Sequence, residues 1–429
     1  MDLILILMYV VVNLTLVVVY YRREMGVFQA PFLLACISLS VLLPQLTTIY
    51  FSPKYDNNLL YKLCYVAISC NIAFAAGFDK AIKSSLPKTL RIIQLGKMKY
   101  LTLLFSLLSL TTIFLYRGGL GDTDVVLASN LRIFSNIGLS LSLISILQGE
   151  RSRVIYISLI FSLIPLLNYA LFVKGSRIDS LVIVLYSCLF LIMYFPRRSN
   201  LIKMVVLSFL LFGSILSASI SGIRKNVRGL GDAEMSISQI SYWDVFVNSF
   251  SNSGSDVGMD LGNAAIGIEF CYQNNSYDYG LQIWNGFVYN YVPKRIFGEE
   301  FKQSLFYNPE YRYIVPKLTN SITTMTGYFS AFSAFSFFGF LFFGIVGYGY
   351  GLIWRYGAYS TLYKFIYFLI YAMVPIMLTH GFQAIFGNIE FILMVIYPML
   401  SFFIMKVKLI KMNNLVKSRS IITNRKIQV

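Results

Sequence analysis

Apolar runs recur along this chain at lengths near those of membrane-crossing helices, separated by short polar or basic connections. They cover 3–20, 28–50, 59–78, 100–116, 125–147, 154–173, 178–195, 204–221, 326–353, 365–382 and 388–405. At a rise of about 1.5 Å per residue, each is long enough, or nearly so, for a hydrocarbon core of about 30 Å. The pattern predicts an all-α polytopic membrane protein with about eleven transmembrane helices. Between 221 and 325 the pattern stops, and no such run occurs. That stretch holds eight Lys/Arg, ten Asp/Glu and two of the three tryptophans. Polar backbone and side chains at this density cannot face lipid, so the stretch sits in water or lines a water-filled cavity. Two parts of it keep helical spacing: Ile237-Ile240-Trp243-Phe246-Val247-Phe250, and Trp284-Phe287-Val288-Tyr291 just before Pro293. Short amphipathic helices folded against the membrane are expected there. The chain therefore divides into spans 1–8 over 1–220, a long loop over 221–325, spans 9–11 over 326–405, and a basic tail over 406–429.

Charge fixes the expected orientation. Starting with the N-terminus outside, the inner connections are 21–27, 79–99, 148–153, 196–203, 354–364 and the tail. They carry 22 of the 36 Lys/Arg and three acids, while everything else holds 14 bases and 16 acids. This is the positive-inside asymmetry, with the N-terminus periplasmic and the C-terminus cytoplasmic. Asp2 precedes the first run and Arg22-Arg23 follow it, the reverse of a signal peptide. The net charge of +17 thus reports orientation and anionic lipid rather than nucleic acid. Hydrophobic residues make up 57% of the chain and charged ones 13%. Cys36, Cys64, Cys70 and Cys188 fall in apolar runs, and Cys271 alone falls in the polar stretch. Neither the cysteine spacings nor the single His suit a metal site. Gly339, Gly344, Gly347, Gly349 and Gly351 in the ninth run predict close helix packing.

Candidate chemistry gathers on the expected outer face. The turn Lys174-Gly175-Ser176-Arg177-Ile178-Asp179 can aim backbone N–H groups at an anion beside two cations. Snorkelling to headgroups, or an Arg177–Asp179 pair, explains the same residues without a ligand. Arg224, Lys225 and Arg228 follow the eighth run on the side where basic residues are disfavoured. Lys294 and Arg295 follow Pro293, and Arg312 and Lys317 come later. Converging guanidinium groups suit a diphosphate, and an ion-pair network with Glu299, Glu300 and Glu310 is the alternative. Trp243, Trp284 and Tyr291 could stack on sugars or form an interfacial belt. His380 and Glu390, expected near the outer ends of the last two spans, are acid/base candidates, with Asp179 and Glu310 behind them.

With Gly175-Ser176-Arg177, Arg224 just past a span, the loop motif Pro293-Lys294-Arg295 and the small-residue span that follows, the layout resembles the bacterial O-antigen polymerases (the Wzy family). The resemblance implies a metal-independent glycosyltransferase of the inner membrane, acting on its periplasmic face without a nucleotide sugar. It implies undecaprenyl-diphosphate-linked oligosaccharide substrates and, as partners, a chain-length regulator and a flippase of the same pathway. The diphosphate-holding role falls on Arg177, Arg224 and Arg295, with Arg228 and Arg312 behind them. Two other functions share parts of the layout. A ligase would want an outer-loop His, and a lipid-linked oligosaccharide flippase would want two related halves with charges mid-membrane.

Overall fold

The structure, a computed structural model, describes residues 2–23, 25–52, 57–84, 89–95, 99–117, 122–147, 152–168, 260–292, 297–307, 326–382 and 405–411, with a few single positions between them. The first crossing is α1 (Asp2–Tyr21). The second is α2 (Ala30–Ile37), a π turn at Ser38–Leu42 and α3 (Leu43–Phe51). Pro44 has no N–H to give back to the preceding turn, and the ladder widens just before it. Next come α4 (Asn57–Lys83), α5 (Lys99–Arg117), α6 (Asp122–Leu147) and α7 (Arg153–Asn168). The long polar segment contributes α8 (Asp260–Asn274), α9 (Leu281–Tyr291) and α10 (Glu299–Ser304). The last described helices are α11 (Gly327–Phe335), α12 (Gly339–Gly357), α13 (Thr361–Tyr371) and α14 (Val374–His380). Among the described residues, five helical stretches are long and apolar enough to cross a membrane. The protein is a membrane-embedded helical bundle.

Outside the spans, β1 (Thr89–Leu95) pairs antiparallel with β2 (Met405–Lys411), from Thr89 opposite Lys411 to Leu95 opposite Met405. The connection after α4 and the start of the basic tail therefore lie on the same side of the bundle. On this ribbon end, both guanidinium nitrogens of Arg23 meet the Asp79 carboxylate at 2.6 and 2.7 Å, and the Tyr20 hydroxyl donates to it at 2.8 Å. Arg355 donates to the Ala81 carbonyl and to Ser84 Oγ there.

The central seam joins α4 to α12. Glycines let the two backbones meet: a Cβ on Gly347 would sit 2.1 Å from the Phe74 carbonyl oxygen, and one on Gly77 2.0 Å from that of Gly344. The glycine stripe is packing, as its spacing predicts. A second seam joins α5, α6 and α7 through small hydroxyls. Ser106 Oγ and Ser162 Oγ lie 2.8 Å apart, beside Gly138 of α6.

The run 326–353 is not one straight crossing. The helix breaks at Phe335–Phe338, where Ser336 takes φ 53°, and the chain folds back. Gly339 returns against the Ala331 backbone, and the Tyr328 ring stacks on Phe343 at 5.7 Å. So α11 and α12 form a helical hairpin, and α12 alone makes the crossing. An apolar run carries no mark of direction, and FSAFSAFSFFGF stays apolar through the reversal.

Candidate functional site

Depth within the bundle follows from α4. Tyr328, second residue of α11, donates its hydroxyl to Asn71 Oδ1 at 2.9 Å, and Asn71 lies midway along α4. The N-terminus of α11 therefore starts about 20 Å from either end of α4, given a rise of 1.5 Å per residue. Thr326 caps it, its Oγ1 accepting the Phe329 N–H at 3.3 Å. Gly327 fits there because the Met377 carbonyl presses against it, leaving no room for a side chain. Around Tyr328 the polar groups are saturated. Asn71 Nδ2 donates to Asn13 Oδ1 at 2.9 Å and to Ser38 Oγ at 3.1 Å, and Asn13 Nδ2 donates to the Tyr9 carbonyl at 2.8 Å. This network ties α1, the π turn, α4 and α11 together, and no feature of the spacing announced it.

Against the α11 N-terminus lies the last turn of α14. Thr379 Oγ1 gives its proton to the Pro375 carbonyl at 2.9 Å and so accepts from His380 Nδ1, also at 2.9 Å. That tautomer puts the imidazole lone pair on Nε2. His380 thus ends a helix whose Met377 touches Gly327, near mid-depth rather than at the outer end expected for it. Gly381 follows with φ 83°, and Phe382 packs on Phe342 and Phe343. A helix N-terminus carries partial positive charge, so the meeting of α11 and α14 pairs a site that favours anions with an exposed imidazole.

Segment 260–307 closes over the end of the bundle opposite the ribbon. Gln45 Oε1 accepts the Leu261 N–H, and Lys62 Nζ meets Glu269 at 2.5 Å while lying 4.0 Å from the centre of the Tyr272 ring. Asp278 binds Ser333 twice, backbone N–H to carbonyl and carboxylate to hydroxyl, both at 2.8 Å. Gly267 lies against the Phe329 ring. Helix α8 buries Leu261, Gly262, Asn263, Ala264, Ala265, Gly267, Ile268 and Cys271, so this part of the polar segment is wedged into the bundle. Burial, helped by the Asp278 carboxylate, pushes the Cys271 thiol up to about 12 and keeps it protonated. The helix expected from Trp284-Phe287-Val288-Tyr291 is α9, and Tyr291 is its last residue. Asn285 binds the Tyr307 backbone through both its amide groups, closing α9 onto α10. Trp284 Nε1 donates to the Leu305 carbonyl at 2.9 Å, so its one polar group is already engaged.

The structure thus brings His380 to the α11 N-terminus and leaves Trp284 and Tyr291 on α9, in a separate part of the segment. Arg177, Arg224, Arg295, Asp179, Glu310, Glu390, Lys174, Lys225, Arg228, Lys294, Arg312, Trp243 and the stretch 237–250 lie outside the described residues. The Lys62–Glu269 pair was missed in sequence because its partners are 207 residues apart. Among the described residues no three His, Cys, Asp or Glu side chains gather as a metal site would require. No family model, curated protein or solved structure matches the chain.

Proposed function

We propose that the protein is an O-antigen-type polymerase. It joins undecaprenyl-diphosphate-linked oligosaccharide repeat units on the periplasmic face of the bacterial inner membrane. The observation that carries this reading is the fixing of segment 260–307 onto one end of the bundle through Gln45, Lys62 and Ser333. A substrate with a lipid tail and a sugar head needs a site that is half lipid and half water, and a polar segment clamped onto spans offers one. The basic connection 79–99 and the start of the tail share the ribbon end. By the positive-inside rule that end is cytoplasmic and the segment periplasmic.

In the reaction an acceptor sugar hydroxyl attacks the anomeric carbon linked to diphosphate. The new glycosidic C–O bond forms as the bond to the diphosphate oxygen breaks, and undecaprenyl diphosphate leaves. Arg177, Arg224 and Arg295 offset the charge that develops on the leaving group, with Lys174, Lys225, Arg228, Lys294 and Arg312 around them, and no metal takes part. The acceptor proton passes to His380 Nε2 or to the Glu310 carboxylate. Trp243, Trp284 and Tyr291 are the candidate sugar contacts, and a chain-length regulator and a flippase are the expected pathway partners.

The test is the polysaccharide ladder of a strain lacking the protein, complemented with variants and read beside an immunoblot. Arg→Ala at 177, 224 or 295 is expected to collapse the ladder to a single repeat at normal protein abundance. Arg→Lys is expected to restore only part of it, because the fork geometry is lost. Full ladders from all three Arg→Lys variants would overturn the diphosphate role. Loss of every repeat in the deletion strain would overturn the polymerase.

A further inference from the structure

The α9–α10 hairpin exposes large apolar side chains at a place where α12 exposes its own. On α9, Leu281 and Trp284 stand one turn apart and are exposed, while Asn285 and Val288, a turn further along the same face, are buried. Trp284 is 45% exposed, and Phe297 and Phe301, whose rings lie 5.8 Å apart, are 54% and 50% exposed. Glu299 and Glu300 flank these two rings. The hairpin leaves the bundle at the α11–α12 turn, where Asp278 binds Ser333 and Tyr277 meets Ser336. From that turn, which exposes Phe338, α12 runs back into the bundle with Leu341 and Ile345 exposed one turn apart. Leu341 and Ile345 belong to a stretch long and apolar enough to cross a membrane, so they face lipid.

Depth decides where the hairpin lies. Phe337, in the turn, packs edge-on against Tyr65 at 5.6 Å. Tyr65 is three residues, or about 5 Å, inside the level of the Lys62–Glu269 pair. A segment anchored there starts within reach of the boundary between headgroups and acyl chains, where amphipathic helices lie about 5–10 Å into the interface. The Trp284 N–H is already given to Leu305, so the ring can enter this layer with no polar group left unpaired.

We infer that the α9–α10 hairpin is an interfacial shelf whose Trp284, Phe297 and Phe301 side chains sit in the acyl-chain boundary of the bilayer, continuous with the lipid-facing side of α12. Its occupant is membrane lipid. The inference is independent of the polymerase reading and of any ladder assay.

The chain has three tryptophans, so Trp243→Phe with Trp354→Phe leaves Trp284 as the sole reporter. In vesicles of phosphatidylglycerol and phosphatidylethanolamine with brominated acyl chains, its emission is expected to fall by about twofold or more relative to unbrominated vesicles. Acrylamide added from water is expected to quench it little. Strong acrylamide quenching without bromine quenching would place the shelf in water. Protection from both quenchers would mean that protein covers it. Either result overturns the inference. If the double Phe variant does not fold, a nitroxide on Phe301→Cys replaces it, read against labelled wild type. Collisions with oxygen should then exceed collisions with a water-soluble nickel chelate, and the reverse order would overturn the shelf.

Discussion

Between α4 and α12 the helices meet backbone to backbone, whereas among α5, α6 and α7 they meet hydroxyl to hydroxyl. Both seams answer the same physical problem. Lipid tails are as apolar as leucine, so no hydrophobic drive pulls spans together, and close packing or hydrogen bonding must do it. The glycine seam rests on packing along its length, with Arg355 bonding Ala81 and Ser84 at its ribbon end: Gly77, Gly347 and Gly351 each admit a main-chain oxygen of the other helix. The serine seam is looser in its chemistry. Ser106 Oγ pairs with Ser162 Oγ and Ser109 donates to the Ser106 carbonyl, yet the buried hydroxyls of Ser135, Ser142 and Ser145 and the Asn136 carbonyl oxygen find no partner among the described residues. One seam has no room for a Cβ at Gly77, Gly347 or Gly351, and the other already carries polar atoms it does not satisfy.

That contrast is sharpest in Gly347→Val. The added carbons would lie inside van der Waals distance of the Phe74 backbone, which cannot swing away as a side chain could. Overpacking a core costs about 1–3 kcal/mol when neighbours can yield. Here the expected result is loss of monodisperse protein on size exclusion in detergent. Gly349→Ala, two residues on, meets nothing within 4 Å and should leave yield and Tm unchanged. Equal behaviour of the two variants would break the account of the seam.

A smaller effect is expected from Ser106→Ala combined with Ser162→Ala. Interhelical hydrogen bonds in membranes are worth about 0.6 kcal/mol on average, so Tm should fall by about 1–3 °C. A collapse like that of Gly347→Val would show that the hydroxyl pair does more than its geometry provides.

The smallest effect should have the opposite sign. Removing an unpaired buried hydroxyl removes a desolvation cost, so Ser142→Ala is expected to raise Tm slightly or leave it unchanged. A clear loss of stability would reveal a partner for Ser142 Oγ.

Legibility in the sequence followed the range of the interaction. Helix positions were legible because hydrophobic runs are local: 100–116 became Lys99–Arg117, and 125–147 became Asp122–Leu147. The spacing of Trp284, Phe287, Val288 and Tyr291 located α9 for the same reason. The reversal at Ser336 was hidden because it rests on Gly339 reaching Ala331 through space. The Asn13–Ser38–Asn71–Tyr328 network was hidden as well, since single polar residues in four apolar runs look alike until the helices rotate them together. Within the candidate site, His380 was named from the sequence but its depth was not, because depth depends on the contact of Met377 with Gly327.

The ribbon also sets a timetable. Leu95 pairs with Met405, roughly 300 residues further along the chain. At translation speeds of about 5–20 residues per second, some 15–60 seconds pass between the synthesis of β1 and that of its partner. For that interval a strand reading TLRIIQL has an unpaired edge, the kind of edge that can pair with another chain. The two-stranded sheet can then close only once the chain has been made as far as Met405 and beyond.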